Sequence, residues 1–94
     1  MNLPTYIIKS GGKRHTEHYN RSKLQSSIIT ACLSTRSPKG QAEKTASEVC
    51  DNVEKWLSSH PEVTSKDIRK VTAEHLKKYQ PEAAYLYEQQ HITI

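Results

Sequence analysis

A chain of 94 residues, 34% hydrophobic and without Phe, has room for one domain whose thin core must come from Leu, Ile, Val, Tyr and Trp56. That excludes a large catalytic cleft. The net charge of +4 is uneven: residues 1–40 carry seven basic side chains against Glu17 alone, whereas residues 41–94 carry seven against nine acidic ones. Positive potential gathered in the first part calls for an anionic partner: a nucleotide, a nucleic acid or an acidic protein. There is no apolar run long enough to span a bilayer and no basic-then-apolar leader, so the expected location is the cytoplasm, with no membrane partner. Cys32 and Cys50 stand far apart, with neither CxxC pairing nor His at zinc-ligand spacing. No metal site is expected, and both cysteines read as small, reduced core residues.

Residues 5–19 read as a β-hairpin, because Thr5 to Ser10 is rich in strand formers and Gly11-Gly12 supplies the positive φ angles of a two-residue turn. Asn20 is a good N-cap for a helix over about 20–33, with Leu24, Ile28 and Cys32 on one face and Ile29 and Leu33 widening the stripe. The polar, breaker-rich Ser34 to Gly40 should interrupt it. A second helix is expected over about 41–58, with Ala42, Ala46, Val49, Val53, Trp56 and Leu57 inward and Glu43, Lys44, Glu48, Asp51 and Glu54 opposite. His60-Pro61 stops it. Thr64 and Asp67 have capping-box spacing, so a third helix is expected over about 65–79, with Ile68, Val71 and Leu76 on its apolar face. Pro81 opens a fourth over about 82–90, carrying Ala83, Ala84, Leu86 and Tyr87. The β-branched His91 to Ile94 is expected to fray or to add an edge strand to the hairpin.

The resulting expectation is a single α+β domain, residues 1–94, in which an N-terminal hairpin, extended at most to a small three-stranded sheet, packs on a four-helix bundle. With Gly11 and Gly12 as the turn, Lys9 faces Arg14 across the hairpin and Ile7 faces Thr16. Like charges directly opposite destabilise a sheet by roughly 0.2–1 kcal/mol, which suggests an anion lying over the pair. Alternation sets Ile7 beside Lys9, an apolar contact for a base next to a cation for a phosphate. Arg21 and Lys23 stand in the first turn of the first helix, where they oppose its dipole unless a bound phosphate reverses the effect. His15 and His18 point to opposite faces of a strand, and His75 reads as a partly buried packing residue.

Four stretches carry a resemblance: Tyr6-Ile-Ile-Lys-Ser-Gly-Gly, Glu17-His-Tyr-Asn-Arg-Ser-Lys-Leu, Val63-Thr-Ser-Lys-Asp-Ile-Arg and Ala83-Ala-Tyr-Leu-Tyr-Glu. In that order and spacing, over nearly the whole chain, the sequence resembles the ATP-cone, a regulatory domain of ribonucleotide reductases and of the repressor of reductase genes. The resemblance implies that ATP or dATP, with Mg2+, binds as a regulatory ligand and not as a substrate. It implies Ile7 against the base, Lys9 and Lys23 on phosphates, Glu17 and Asn20 near sugar and base, and Thr64 or Ser65 at the start of the third helix. Two departures stand out: Ser10 occupies the position of the family's usual Arg, and Gly-Gly replaces Asp-Gly in the turn. Arg14, facing Lys9 in the two-residue-turn register, is expected to substitute for the missing arginine.

The expected function is therefore a non-catalytic module that binds an adenine nucleotide and signals its presence to a protein partner or through self-association. With Met1 present and no catalytic or zinc-ribbon portion, the chain is expected to be a free-standing cone. The alternatives are a small basic nucleic-acid-binding module, and a degenerate cone kept as a protein-interaction domain.

Overall fold

The computed structural model describes residues 6–9 and 15–89, with backbone alone at 6–9 and 15–17. Strands β1 (Tyr6–Lys9) and β2 (His15–His18) lead into helices α1 (Arg21–Ser34) and α2 (Lys39–Leu57). Strand β3 (Glu62–Thr64) then runs directly into α3 (Ser65–Lys77), and α4 (Pro81–Gln89) closes the described chain.

Local chemistry explains each boundary. Asn20, in extended conformation, caps α1 by accepting the Lys23 N–H at 3.3 Å. Inside α1 the buried Ser27 satisfies its hydroxyl on the Lys23 carbonyl at 2.9 Å, and Thr30 and Ser34 bond back one turn in the same way. The helix ends with the Arg36 N–H on the Leu33 carbonyl and the Ser37 N–H on the Cys32 carbonyl, a Schellman pattern. Arg36 sits at φ 65° in that pattern, a place where glycine is the usual residue. Helix α2 starts at Lys39, two residues earlier than the breakers suggest: Pro38, extended at φ −58° and ψ 145°, is its N-cap, and the Pro38 carbonyl accepts the Ala42 N–H at 2.9 Å. The capping box of α3 is formed in full: Thr64 Oγ1 accepts the Asp67 N–H at 3.0 Å, and the Thr64 N–H donates to Asp67 Oδ2 at 3.1 Å.

The helices bury their stripes on one another, α1 against α2 and α4, and α3 against α2 and α4. Leu24, Ile28, Val49, Val53, Leu57, Ile68, Leu76 and Tyr87 are almost wholly inaccessible at the centre. Cys32 and Cys50 are buried free thiols, and burial pushes Cys50 up to about 12. Leu33, expected on the apolar stripe of α1, is instead exposed. Trp56 is only half buried: it packs on the rim of the core and stacks on the His60 ring, with centroids 4.2 Å apart. His60 Nδ1 meets the Trp56 carbonyl at 2.7 Å, so this side chain terminates α2 in addition to Pro61.

The expected arrangement of a hairpin packed on a four-helix bundle is corrected. The described domain is predominantly helical, and its sheet is not a hairpin laid over one end. Strand β1 lies between β2, antiparallel, and β3, parallel, in the order β2-β1-β3. The partner added to β1 thus comes from the connection before α3, because the Asp67 capping box ends that connection in an extended residue which continues the ladder. The proposed edge strand at His91 to Ile94 lies outside the described residues, as do Gly11-Gly12 and Arg14. The register differs as well: Lys9 pairs with His15, Ile8 with Thr16 and Ile7 with Glu17. The one-residue shift removes the Lys9–Arg14 apposition.

Two stability predictions follow from these boundaries. Arg36→Gly should stabilise the domain by about 0.5–1 kcal/mol in urea melts, the left-handed strain outweighing the added freedom of the unfolded chain. Burial and the Lys78 charge hold His75 below the ordinary imidazole value, with Glu74 acting the other way. As pH falls below about 6.5 the unfolded chain takes up that proton first, so stability declines until the folded state protonates too. His75→Gln should flatten this part of the stability profile.

Candidate functional site

The sheet order brings together residues that are far apart in sequence. Two residues after β2, α1 begins; directly after β3, α3 begins; and β1 is hydrogen-bonded to both strands. The N-termini of α1 and α3, each with backbone N–H groups that lack intrahelical partners, thus follow strands on opposite edges of β1 and leave it at opposite ends, α1 from the end at Tyr6 and α3 from the end at Ile8.

The predicted site residues fall on this frame in different ways. Ile7 is paired with Glu17 on one side and with Val63, whose side chain is buried, on the other. Lys9 closes β1 opposite His15. Asn20 is the N-cap of α1, and Lys23 is an exposed residue in its first turn. Thr64 is paired with Ile8 and caps α3, with its hydroxyl oxygen accepting from Asp67, and Ser65 is the buried first residue of that helix. The backbone thus places Ile7, Lys9, Glu17, Asn20, Lys23, Thr64 and Ser65 on three adjoining strands and the two helix starts that follow them. Arg14 lies outside the described residues.

Arg21 has its charge compensated within the protein. Its Nη1 lies 2.9 Å from Asp51 Oδ1 and 3.0 Å from Glu54 Oε1, and its Nη2 donates to the Ser47 carbonyl at 3.2 Å. Glu54 Oε2 accepts the Tyr19 hydroxyl at 2.9 Å. Although burial alone would lower it, the Arg21 pKa is raised by these bonds to Glu54 and Asp51. Burial first, and then the bond to Glu54, raises that of Tyr19. One clasp therefore fixes the joint between β2 and α1 against α2, using two carboxylates that the helical pattern assigned to the solvent face of α2. Nothing in local spacing signals it, since the partners lie 30 and 35 residues apart.

Among the described residues a cavity of about 540 Å³ lies at the other end of the bundle, lined by Arg36, Pro81, Tyr85 and Leu86 with their neighbours. A second, of about 430 Å³, opens beside the first turns of α3 and the end of α4, between Lys66, Arg69, Lys70, Glu74 and Glu88. Lys66, Arg69 and Glu88 of this second cavity fall in two of the motif stretches, but sequence reasoning gave none of its residues a role.

Breaking the clasp tests its weight. Glu54→Ala should cost about 1–2 kcal/mol, since charge-assisted bonds worth more are discounted here for partial exposure. Tyr19→Phe should cost less, within about 0.5–1.5 kcal/mol for a single hydroxyl bond. A double-mutant cycle between Arg21 and Glu54, followed by urea melts, reads the coupling directly; additive effects would mean that the clasp is only a surface contact.

Comparison with known proteins gives the same architecture a family. The ATP cone domain matches residues 5–91. A "Transcriptional repressor NrdR" of Synechococcus is 38% identical over 77 residues, covering 80% of this chain and 45% of the relative. Proteins of the same name from Thermosipho melanesiensis and Microcystis aeruginosa are each 32% identical, covering 80% and 89% of this chain and 47% and 46% of those relatives. The chain thus spans about half the length of the curated relatives it matches. No solved structure matches. With nearly its whole length matched by one family, the chain belongs to the ATP cone domain family.

Proposed function

We propose that this domain is a non-catalytic regulatory module that binds ATP or dATP, with Mg2+, where β1 meets the N-termini of α1 and α3. The observation that supports this most is the parallel pairing of β1 with β3, which sets the Thr64-Ser65 start of α3 beside the Lys9 end of β1. Helix N-termini favour anions through their unpaired N–H groups and the positive end of the dipole. In this reading Ile7 contacts the base, Glu17 and Asn20 the base and sugar, Lys9 and Lys23 the phosphates, and Thr64 or Ser65 donates from the start of α3. The capping box leaves the Thr64 hydroxyl proton available, because only its oxygen is used as an acceptor.

The two thiols are poor nucleophiles in their buried positions, with Cys32 and Cys50 both raised above the ordinary value by desolvation. That agrees with a ligand held and sensed, not converted. The relatives are transcriptional repressors by name, which favours a module that passes nucleotide state to an attached or associated regulatory partner. The Tyr19–Arg21–Glu54 clasp provides a stiff link from the α1 start to α2 for such a signal.

Nucleotide should raise the melting temperature, since a ligand bound only by the folded state adds about 2.7 kcal/mol at a hundredfold excess over its dissociation constant. Lys9→Ala and Lys23→Ala should each weaken binding by roughly 1.5–3 kcal/mol in titration calorimetry, with helical circular dichroism unchanged. An unchanged melting temperature with saturating ATP, dATP and Mg2+ rejects the reading. Parent-like affinity in both variants moves the site elsewhere.

A further inference from the structure

The Glu54 carboxylate of α2 is divided between two residues that stand on either side of Asn20. Its Oε2 accepts the Tyr19 hydroxyl at 2.9 Å, and its Oε1 lies 3.0 Å from Arg21 Nη1. Tyr19 belongs to the buried core, whereas Asn20 is exposed. An exposed residue at the start of α1 is thus held through both of its chain neighbours by a single group on another helix.

Asn20 has two tasks there. Its carbonyl accepts the Leu24 N–H at 3.2 Å, and its Oδ1 accepts the Lys23 N–H at 3.3 Å. Both bonds require the extended backbone found at Asn20, φ −126° and ψ 106°. Rotation about either dihedral would move Tyr19 relative to Arg21, so a carboxylate that grips both resists it. With Oδ1 engaged as the cap, the Asn20 side-chain NH2 is left to donate outward in a fixed direction.

We infer that Glu54 is a positioning residue of the nucleotide site: by gripping Tyr19 and Arg21 together it aims the Asn20 amide at an acceptor on the base or sugar. A polar group is held to the required direction only when a supporting shell locks it, and Glu54 is that support. The role rests on the reading that Asn20 meets the base and sugar. Asp51 supplies the contrast, because it pairs with Arg21 at 2.9 Å and, among the described residues, holds one neighbour of Asn20 and not the other. Glu54 and Asp51 carry the same charge, so removing either favours an anionic ligand electrostatically. Loss of positioning acts in the opposite direction.

Titration calorimetry of the full chain with ATP and, separately, with inorganic tripolyphosphate tests the role, alongside amide hydrogen exchange on the free protein. Glu54→Ala should weaken ATP by roughly three- to tenfold although it removes a negative charge, the effect of one lost hydrogen bond. Tyr19→Phe cuts one arm of the bracket without changing charge and should act in the same direction by a smaller factor. It keeps the test valid if Glu54→Ala fails to fold. Asp51→Ala should leave ATP at parent affinity or slightly tighter. Tripolyphosphate should bind all three variants no more weakly than the parent, because lysine ammonium groups on flexible stems tolerate a small shift that a short amide does not. In the free protein, Glu54→Ala should speed exchange of the Lys23 and Leu24 amides more than that of amides inside α2 and α3, whereas a loss of global stability alone would raise exchange throughout. Parent-like ATP affinity in both Glu54→Ala and Tyr19→Phe, an equal loss of ATP and tripolyphosphate, or uniformly faster exchange would overturn the role and leave the nucleotide reading intact. If the parent binds no ATP, the nucleotide reading fails and hydrogen exchange decides the rest: a selective change at Lys23 and Leu24 keeps Glu54 as the group that positions Asn20, and a uniform change removes it.

Discussion

Strand β1 is hydrogen-bonded along both edges, and the rest of the arrangement depends on that. Its antiparallel partner β2 delivers the start of α1, and its parallel partner β3 delivers the start of α3. A parallel neighbour requires a long crossover, and here α1 and α2 supply it between β1 and β3. Two helix N-termini separated by more than 40 residues are therefore tied to opposite edges and opposite ends of one four-residue strand. Without β3 the α3 start would have no backbone tie to β1, and Thr64 would be a helix cap and nothing more.

A core without Phe leaves the helices to be held partly by polar contacts, and the molecule treats its arginines in opposite ways. Arg21 is saturated: two carboxylates, a serine carbonyl and, through Glu54, a tyrosine lock it between α1 and α2. Arg69 faces a cavity with a buried, unpaired Nε beside two unpaired hydroxyls. The first arrangement is what a structural joint requires, since breaking a satisfied charge network costs more than never forming it. The second leaves hydrogen-bonding capacity unused, which is costly in a buried place. The same contrast separates Arg36, which is held in strained left-handed backbone beside the other cavity, from a glycine that would close α1 without strain.

Wherever short-range chemistry decides the outcome, the residues themselves carried the answer. Asn20 and the Thr64–Asp67 box start α1 and α3 because a side-chain oxygen within three residues satisfies a free N–H, and no distant partner alters that. The periodic stripes of Ala42 to Leu57 and Ile68 to Leu76 found their core for the same reason, and Cys32 and Cys50 followed as small apolar residues. The four motifs that carry the family resemblance were also legible, being local runs in a given order.

What the tertiary structure alone decided was pairing across distance. Register across β1 and β2 depends on how many residues the connection consumes, and a shift of one residue replaced Arg14 by His15 opposite Lys9. The partner of β1 came from Glu62–Thr64, three residues too short to stand out as a strand until a ladder is present to extend. Glu54 and Asp51 looked like solvent-facing charges of an amphipathic helix, yet they meet Arg21 because α1 packs across that face. Arg69 and Tyr87 fall in two of the motif stretches, yet nothing in the sequence marks that they meet each other and Thr72. Local sequence determines which backbone groups a residue can satisfy nearby; which unsatisfied groups end up together is set by packing, and in this domain that packing defines the joint and the α3–α4 cavity.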